Sequence, residues 1–96
     1  KSDAVAIAYD KSKITLNDRT VIAEREKSSI TITSDSVKSE IGKSKIHMNS
    51  NEIQCENGIS QCSIKQNHVQ LIGGKSKLNL NNGKTEVIGS TIDLKN

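Results

Sequence analysis

Lys11-Ser12-Lys13-Ile14-Thr15-Leu16 decides how this chain folds, because it keeps returning. It recurs as Lys27-Ser28-Ser29-Ile30-Thr31-Ile32, as Lys43-Ser44-Lys45-Ile46-His47-Met48 and as Lys75-Ser76-Lys77-Leu78-Asn79-Leu80. Ile59-Ser60-Gln61-Cys62-Ser63-Ile64 fills the remaining place in register, and a last partial copy starts at Thr91. The period is sixteen residues, with no insertion. A fixed period of this kind is the signature of a structure built by stacking one small unit on the next.

Within each copy the apolar residues come in pairs two positions apart. Ile14/Leu16, Ile30/Ile32, Ile46/Met48, Cys62/Ile64 and Leu78/Leu80 form one set. Val5/Ile7, Val21/Ala23, Val37/Ser39, Ile53/Cys55, Val69/Leu71 and Thr85/Val87 form the other. A spacing of two puts both side chains of a pair on one face of a strand. The residue between them is mostly polar, as at Thr15, Lys38, Gln54 and Glu86. The unit is therefore a strand and a tight turn, about eight residues long. The turns are expected at Asn17-Asp18, Ser34-Asp35, Asn49-Ser50-Asn51, Asn57-Gly58, Gly73-Gly74 and Asn81-Asn82-Gly83, whose residue types tolerate a left-handed backbone. Gly89 reads as a further turn residue. Helix is opposed by the period and by the frequency of Asn, Ser, Thr and Gly. Glu24-Arg25-Glu26-Lys27 looks helical only when taken out of register.

Composition sharpens this picture. The 96 residues include no Trp, Phe or Pro, and Tyr9 is the only aromatic residue. Apolar residues make up 32%, too few for an ordinary core of one small domain. Thirteen isoleucines nevertheless argue against disorder. No apolar run is long enough for a membrane-spanning helix. The chain opens at Lys1 without Met and without a signal peptide, so it reads as a piece of a longer protein or a processed product.

Each strand offers only two aliphatic side chains to a core, so the chain is expected to bury surface against other chains. A single-chain solenoid is the competing geometry. The Gly-Gly-x-Gly-x-Asp repeats of calcium-binding rolls are absent, and so is a flat Thr-x-Thr array: the outward column reads Thr15, Thr31, His47, Ser63, Asn79. The expected fold is all-β, an intertwined trimeric β-helix or β-prism, with residues 1–96 as one repeat domain. Each chain zigzags up the shaft, and strands of all three chains stack along it. Its core is expected to be Val5, Ile7, Ile14, Leu16, Val21, Ile30, Ile32, Val37, Ile46, Met48, Ile53, Cys55, Cys62, Ile64, Val69, Leu71, Leu78, Leu80 and Val87.

The Val/Ile-x-Val/Ile octads, the Lys-Ser-Lys-Ile-Thr-Leu phrase and the closing Glu86-Val87-Ile88-Gly89-Ser90-Thr91-Ile92-Asp93-Leu94 resemble the C-terminal β-helical needle of VgrG spikes of bacterial type VI secretion. The central spike of contractile phage tails is similar. The resemblance covers essentially the whole chain. It implies a homotrimer with an N-terminal hub beyond this segment, assembled in the bacterial cytoplasm and then ejected towards a target cell. It implies membrane puncturing, with tube or effector proteins carried by other domains and transient contact with the target membrane. It further implies a PAAR-type cap at the blunt end, where Ile92, Asp93, Leu94, Lys95 and Asn96 are the candidate surface by position. A phage tail fibre or adhesin stalk that binds a receptor is the alternative. Some phage-type spikes hold iron through His-x-His at the apex; His47 and His68 are not in that motif.

No enzymatic constellation stands out. Ser12, Ser28, Ser44, Ser60 and Ser76 form one column, but without a His-Asp partnership; a corner hydroxyl bonding nearby backbone is the expected role. Gly73-Gly74-Lys75-Ser76 lacks the upstream glycine and following helix of a phosphate loop. Cys55 and Cys62 fall in inward columns as core thiols, with a disulfide open if the geometry allows it. Their spacing is not that of a zinc site. Lysines at 11, 27, 43 and 75, and at 13, 45 and 77, stand beside glutamates at 24, 40 and 56. This reads as a mixed-sign solvated shaft with cross-strand ion pairs. Without aromatics for stacking, no nucleic acid is expected as a partner. No cofactor or metal is expected either.

Overall fold

The structure is a computed structural model that describes residues 4–95. It consists of eleven strands: β1 (Ala4–Tyr9), β2 (Ser12–Asn17), β3 (Val21–Arg25), β4 (Ser28–Ile32), β5 (Ser36–Ile41), β6 (Ser44–Asn49), β7 (Glu52–Asn57), β8 (Ser60–Lys65), β9 (His68–Gly73), β10 (Ser76–Asn81) and β11 (Lys84–Ile88). They form one antiparallel sheet in sequence order, and among the described residues there is no helix. The all-β zigzag follows from the alternation of apolar and polar residues and from turns too short for any other connection.

Each interior strand pairs with its two neighbours in the chain. In this sheet strands of one chain, and not interleaved strands of three, lie side by side: a turn of two or three residues returns the chain by one strand spacing, and the next strand of the same chain takes the place beside it.

The two long rims of the sheet reverse the chain by different means. On one rim the first turn residue has a left-handed backbone every sixteen positions: Asp10 (φ 54°), Glu26 (51°), Gly42 (54°), Gly58 (58°) and Gly74 (60°). On the other rim side chains hold the first three turns. The Oδ1 of Asn17 accepts the N–H groups of Arg19 (2.9 Å) and Thr20 (2.8 Å). Thr33 Oγ1 accepts from Asp35 N (3.2 Å) and Ser36 N (3.0 Å), and Asn49 Oδ1 from Asn51 N (2.8 Å) and Glu52 N (2.9 Å). Asn17 and Asn49 thus act through their side-chain oxygens and not through a left-handed backbone. Later on this rim, Asn67 and the Asn82-Gly83 pair take positive φ.

Two expectations about turns are corrected, and the last partial copy of the repeat adds no strand. Gly73 closes β9 opposite Ser76 and does not sit in the turn, which is Gly74-Lys75. Gly89 follows β11 with no positive φ. Thr91 begins no further strand: residues 89–95 have no strand assignment. Ser90 and the β-branched Thr91 stand where earlier copies carry a residue of positive φ followed by a lysine or isoleucine, a poor start for a tight reversal.

The serine column also differs from its expected role. Ser12 Oγ accepts from Arg25 Nη1 at 2.8 Å, and Ser44 Oγ from Asn57 Nδ2 at 2.7 Å. These are side-chain bonds between facing residues of neighbouring strands, Ser12↔Arg25 and Ser44↔Asn57. Ser12 and Ser44 open β2 and β6, so their backbone is committed to the ladder and their hydroxyls are left for the cross-strand neighbour.

Candidate functional site: an uncovered apolar face

The pairing register joins the apolar pairs into two continuous columns on one face of the sheet. One runs Ile7, Ile14, Ala23, Ile30, Ser39, Ile46, Cys55, Cys62, Leu71, Leu78, Val87. The other runs Val5, Leu16, Val21, Ile32, Val37, Met48, Ile53, Ile64, Val69, Leu80, Thr85. A slip of one residue in any hairpin would send one strand's pair to the opposite face.

Among the described residues nothing covers this face. No hydrophobic side chain is buried among the described residues, and Ile46, in the middle of the sheet, is 49% exposed. The opposite, polar face is better shielded along its centre. There Thr15, Thr31, Lys38, His47, Gln54, Ser63, Gln70 and Asn79 are all half-buried. Neighbouring polar side chains cover one another on that side, as where Gln70 Nε2 donates to Asn79 Oδ1 at 2.7 Å.

The apolar face is also concave. A trough of about 740 Å³ is lined by Ile41, Ile46, Cys55, Cys62, Leu71 and Leu78 among others, and a second of about 470 Å³ by Ile14, Ile30 and Ile41 among others. Ile41, 63% exposed, lies on this face outside the apolar pairs of the repeat. The sequence carries the signal for this: Val37, Ser39 and Ile41 share one parity, as do Val5, Ile7 and Tyr9. Parity also puts Arg25 and the serine column along the border of this face. The troughs end there in hydroxyls, an amide and a guanidinium.

The charged groups lie at the rims and on the polar side. Lys11 Nζ stands 2.9 Å from Glu26 Oε1, between two turns of the same rim. Lys65 and Glu52 face each other across β7 and β8 at 3.9 Å, and Lys38–Glu40 and Lys84–Glu86 are pairs along single strands at 3.7 and 3.8 Å. Each of these pairs keeps at least its lysine well exposed, so each stabilises the fold by about 1 kcal/mol or less. Lys11 pairs with Glu26, which stands outside the glutamate column at 24, 40 and 56, because Glu26 shares its rim.

His47 lies on the polar face between Lys38 and Gln54, and His68 faces Lys65 and Asn81. Cys55 and Cys62 are free thiols directly opposite each other on the apolar face. Among the described residues no three His, Cys, Asp or Glu side chains are grouped to hold a metal ion. Gly74-Lys75 is a hairpin turn between strands, without the helix that a phosphate loop requires. Ile92, Asp93, Leu94 and Lys95 trail from the end of the sheet, with Leu94 93% exposed; Asn96 lies outside the described residues. No helix among the described residues is long and apolar enough to cross a membrane.

No protein-family model, curated protein or solved structure matches this chain.

Proposed function

We propose that this chain is one strand-ribbon of a trimeric β-prism, a stiff shaft of the kind that forms the puncturing needle of a VgrG-type spike. The observation that carries the proposal is the bare apolar face. The chain exposes 7885 Å². A compact protein of 10.4 kDa exposes about 5,400 Å². The excess of about 2,500 Å² per chain is in the range that obligate oligomers bury. The radius of gyration agrees, 18.4 Å against about 12.5 Å for a globular domain of this length. A single sheet has no second layer, and stable domains need one.

Three copies suit the width of the face better than two. Each strand is five or six residues long and contributes one residue to each apolar column. Three such narrow faces close round an axis with their apolar columns inward, which leaves the polar face outside on every side. Each copy would contribute one wall, held by its own ladder, and the walls would be joined through side chains.

A mechanical role fits what the repeat lacks. No loop is inserted in eleven strands, and the polar face carries no aromatic residue for sugar binding. The sheet is long and narrow, with extents of 61 × 28 × 21 Å. Axial load on the prism falls on three continuous ladders. The exposed Ile92 and Leu94 lie beyond the last strand and would meet a capping protein at the blunt end.

Sedimentation equilibrium of the reduced chain tests the assembly. A species of about three times the 10.4 kDa chain mass supports the prism. A folded species at the chain mass overturns it, and the apolar troughs would then have to serve another ligand.

A further inference from the structure

We propose that Cys55 and Cys62 form a thiol–disulfide exchange site, a cross-strand dithiol that a low-molecular-weight disulfide of the glutathione type converts to a disulfide bridging β7 and β8. The two residues face each other in the register of that hairpin, on the same side of the sheet, and both are free and half-buried. Both line the larger trough, so a small reagent reaches them from the apolar side as long as no other copy covers that face.

The hairpin register sets the distance. The two-residue turn Gly58-Ile59 is bracketed by Asn57 and Ser60, the first hydrogen-bonded pair of the ladder. Pairs alternate from there, so Glu56/Gln61 is a non-bonded pair and Cys55/Cys62 a bonded one. Bonded pairs have Cα atoms about 5.5 Å apart, inside the span that a disulfide bridges. Their Cβ atoms stand somewhat wider than a relaxed disulfide prefers, so closure draws β7 and β8 together. A bridge under such tension is readily reduced, the property of exchangeable and not of purely structural disulfides.

The chemistry balances in two steps. The thiolate of one cysteine attacks a sulfur of the small disulfide, forms a mixed disulfide and expels one small thiolate. The thiolate of the second cysteine attacks the protein sulfur of that mixed disulfide and expels the other. The two cysteines are oxidised, the small disulfide is reduced to two thiols, and two protons are redistributed to the leaving thiolates. The facing partner makes the second step intramolecular, so the mixed disulfide does not persist.

The test is to refold the chain in buffers of graded reduced-to-oxidised glutathione, so that the thiols are reached before any sheets assemble. Free thiols are then trapped with iodoacetamide and intact masses measured. The expected oxidised product is a single chain lacking two hydrogen atoms, with no alkyl group and no glutathione. Cys62→Ser should instead accumulate a lasting glutathione adduct on Cys55. The proposal is overturned if both thiols are alkylated at every ratio, if wild type keeps stable glutathione adducts, or if the main product links two chains. These readouts do not depend on the number of copies in the assembly, so they can fail while the prism stands, or succeed without it.

Discussion

Glu26 and Gly42 occupy the same turn position, sixteen residues apart, with φ of 51° and 54°. One is a glycine, for which this backbone is ordinary. The other carries a Cβ, which costs roughly 1–2 kcal/mol in the left-handed region. Glu26 recovers part of that through Lys11, but an exposed pair contributes about 0–1 kcal/mol. Glu26→Gly should therefore raise stability by about 0.5–1 kcal/mol, read as a higher midpoint in urea with an unchanged slope. Gly42→Ala should do the reverse. A Cβ there meets nothing within 4 Å, so its loss of roughly 1–2 kcal/mol would come from the backbone alone. A neutral Gly42→Ala would show that the turn can change type without strain.

The other rim makes a different prediction. Asn17 Oδ1 accepts from Arg19 N, Thr20 N and Thr20 Oγ1, and Asn49 Oδ1 from two backbone N–H groups. Asn17→Ala and Asn49→Ala should each cost about 1–2 kcal/mol, since exposed N–H groups regain water as partners. Asn17→Asp keeps the acceptor and should recover most of the loss. Thermal unfolding of the three variants decides it: if aspartate is as damaging as alanine, the side-chain oxygen is not what holds the turn.

The strands and their faces were legible in the sequence because a period of two survives every substitution in the columns. Ser39 and Thr85 interrupt the apolar columns without disturbing the parity around them. The turns were less legible. Asp10 and Glu26 take positive φ although neither is Gly or Asn, and their register with Gly42, Gly58 and Gly74 was the available clue. Asn17 and Asn49 close β2 and β6 and hold the turns that follow by their side-chain oxygens, and not by the left-handed backbone that an Asn also tolerates. The pairing partner could not be read at all. Alternation states which side of a strand is apolar, not whether the next strand comes from the same chain. Thin burial pointed to other copies, and in the structure each strand pairs with its neighbours in the same chain.

Face-specific substitution separates the role of the apolar columns from general damage. Ile46 and His47 are neighbours in β6 and point to opposite faces. If the proposed prism covers this face, Ile46→Asp brings an unpaired charge into its interior and should stop assembly. His47→Asp should leave the assembled mass unchanged. Sedimentation equilibrium of both variants, with circular dichroism to confirm the strands, gives the comparison. A fully assembled, soluble Ile46→Asp chain would falsify the inward assignment of this face.

Salt gives the last test, because it acts on two candidate forces in opposite ways. At about 1 M salt the screening length falls to about 3 Å, so exposed ion pairs such as Lys11–Glu26 and Lys65–Glu52 lose most of their attraction. Contacts between apolar faces do not weaken under those conditions, and with sulfate as the anion they strengthen. If Ile14, Ile46, Ile64 and their column neighbours join the copies, the assembled mass should persist from low salt to about 1 M sodium chloride, and the concentration needed for assembly should fall in ammonium sulfate. Dissociation by sodium chloride would place the contact on the charged rims instead. The bare apolar face would then remain without an occupant, and the prism would have to be abandoned even if three copies were found at low salt.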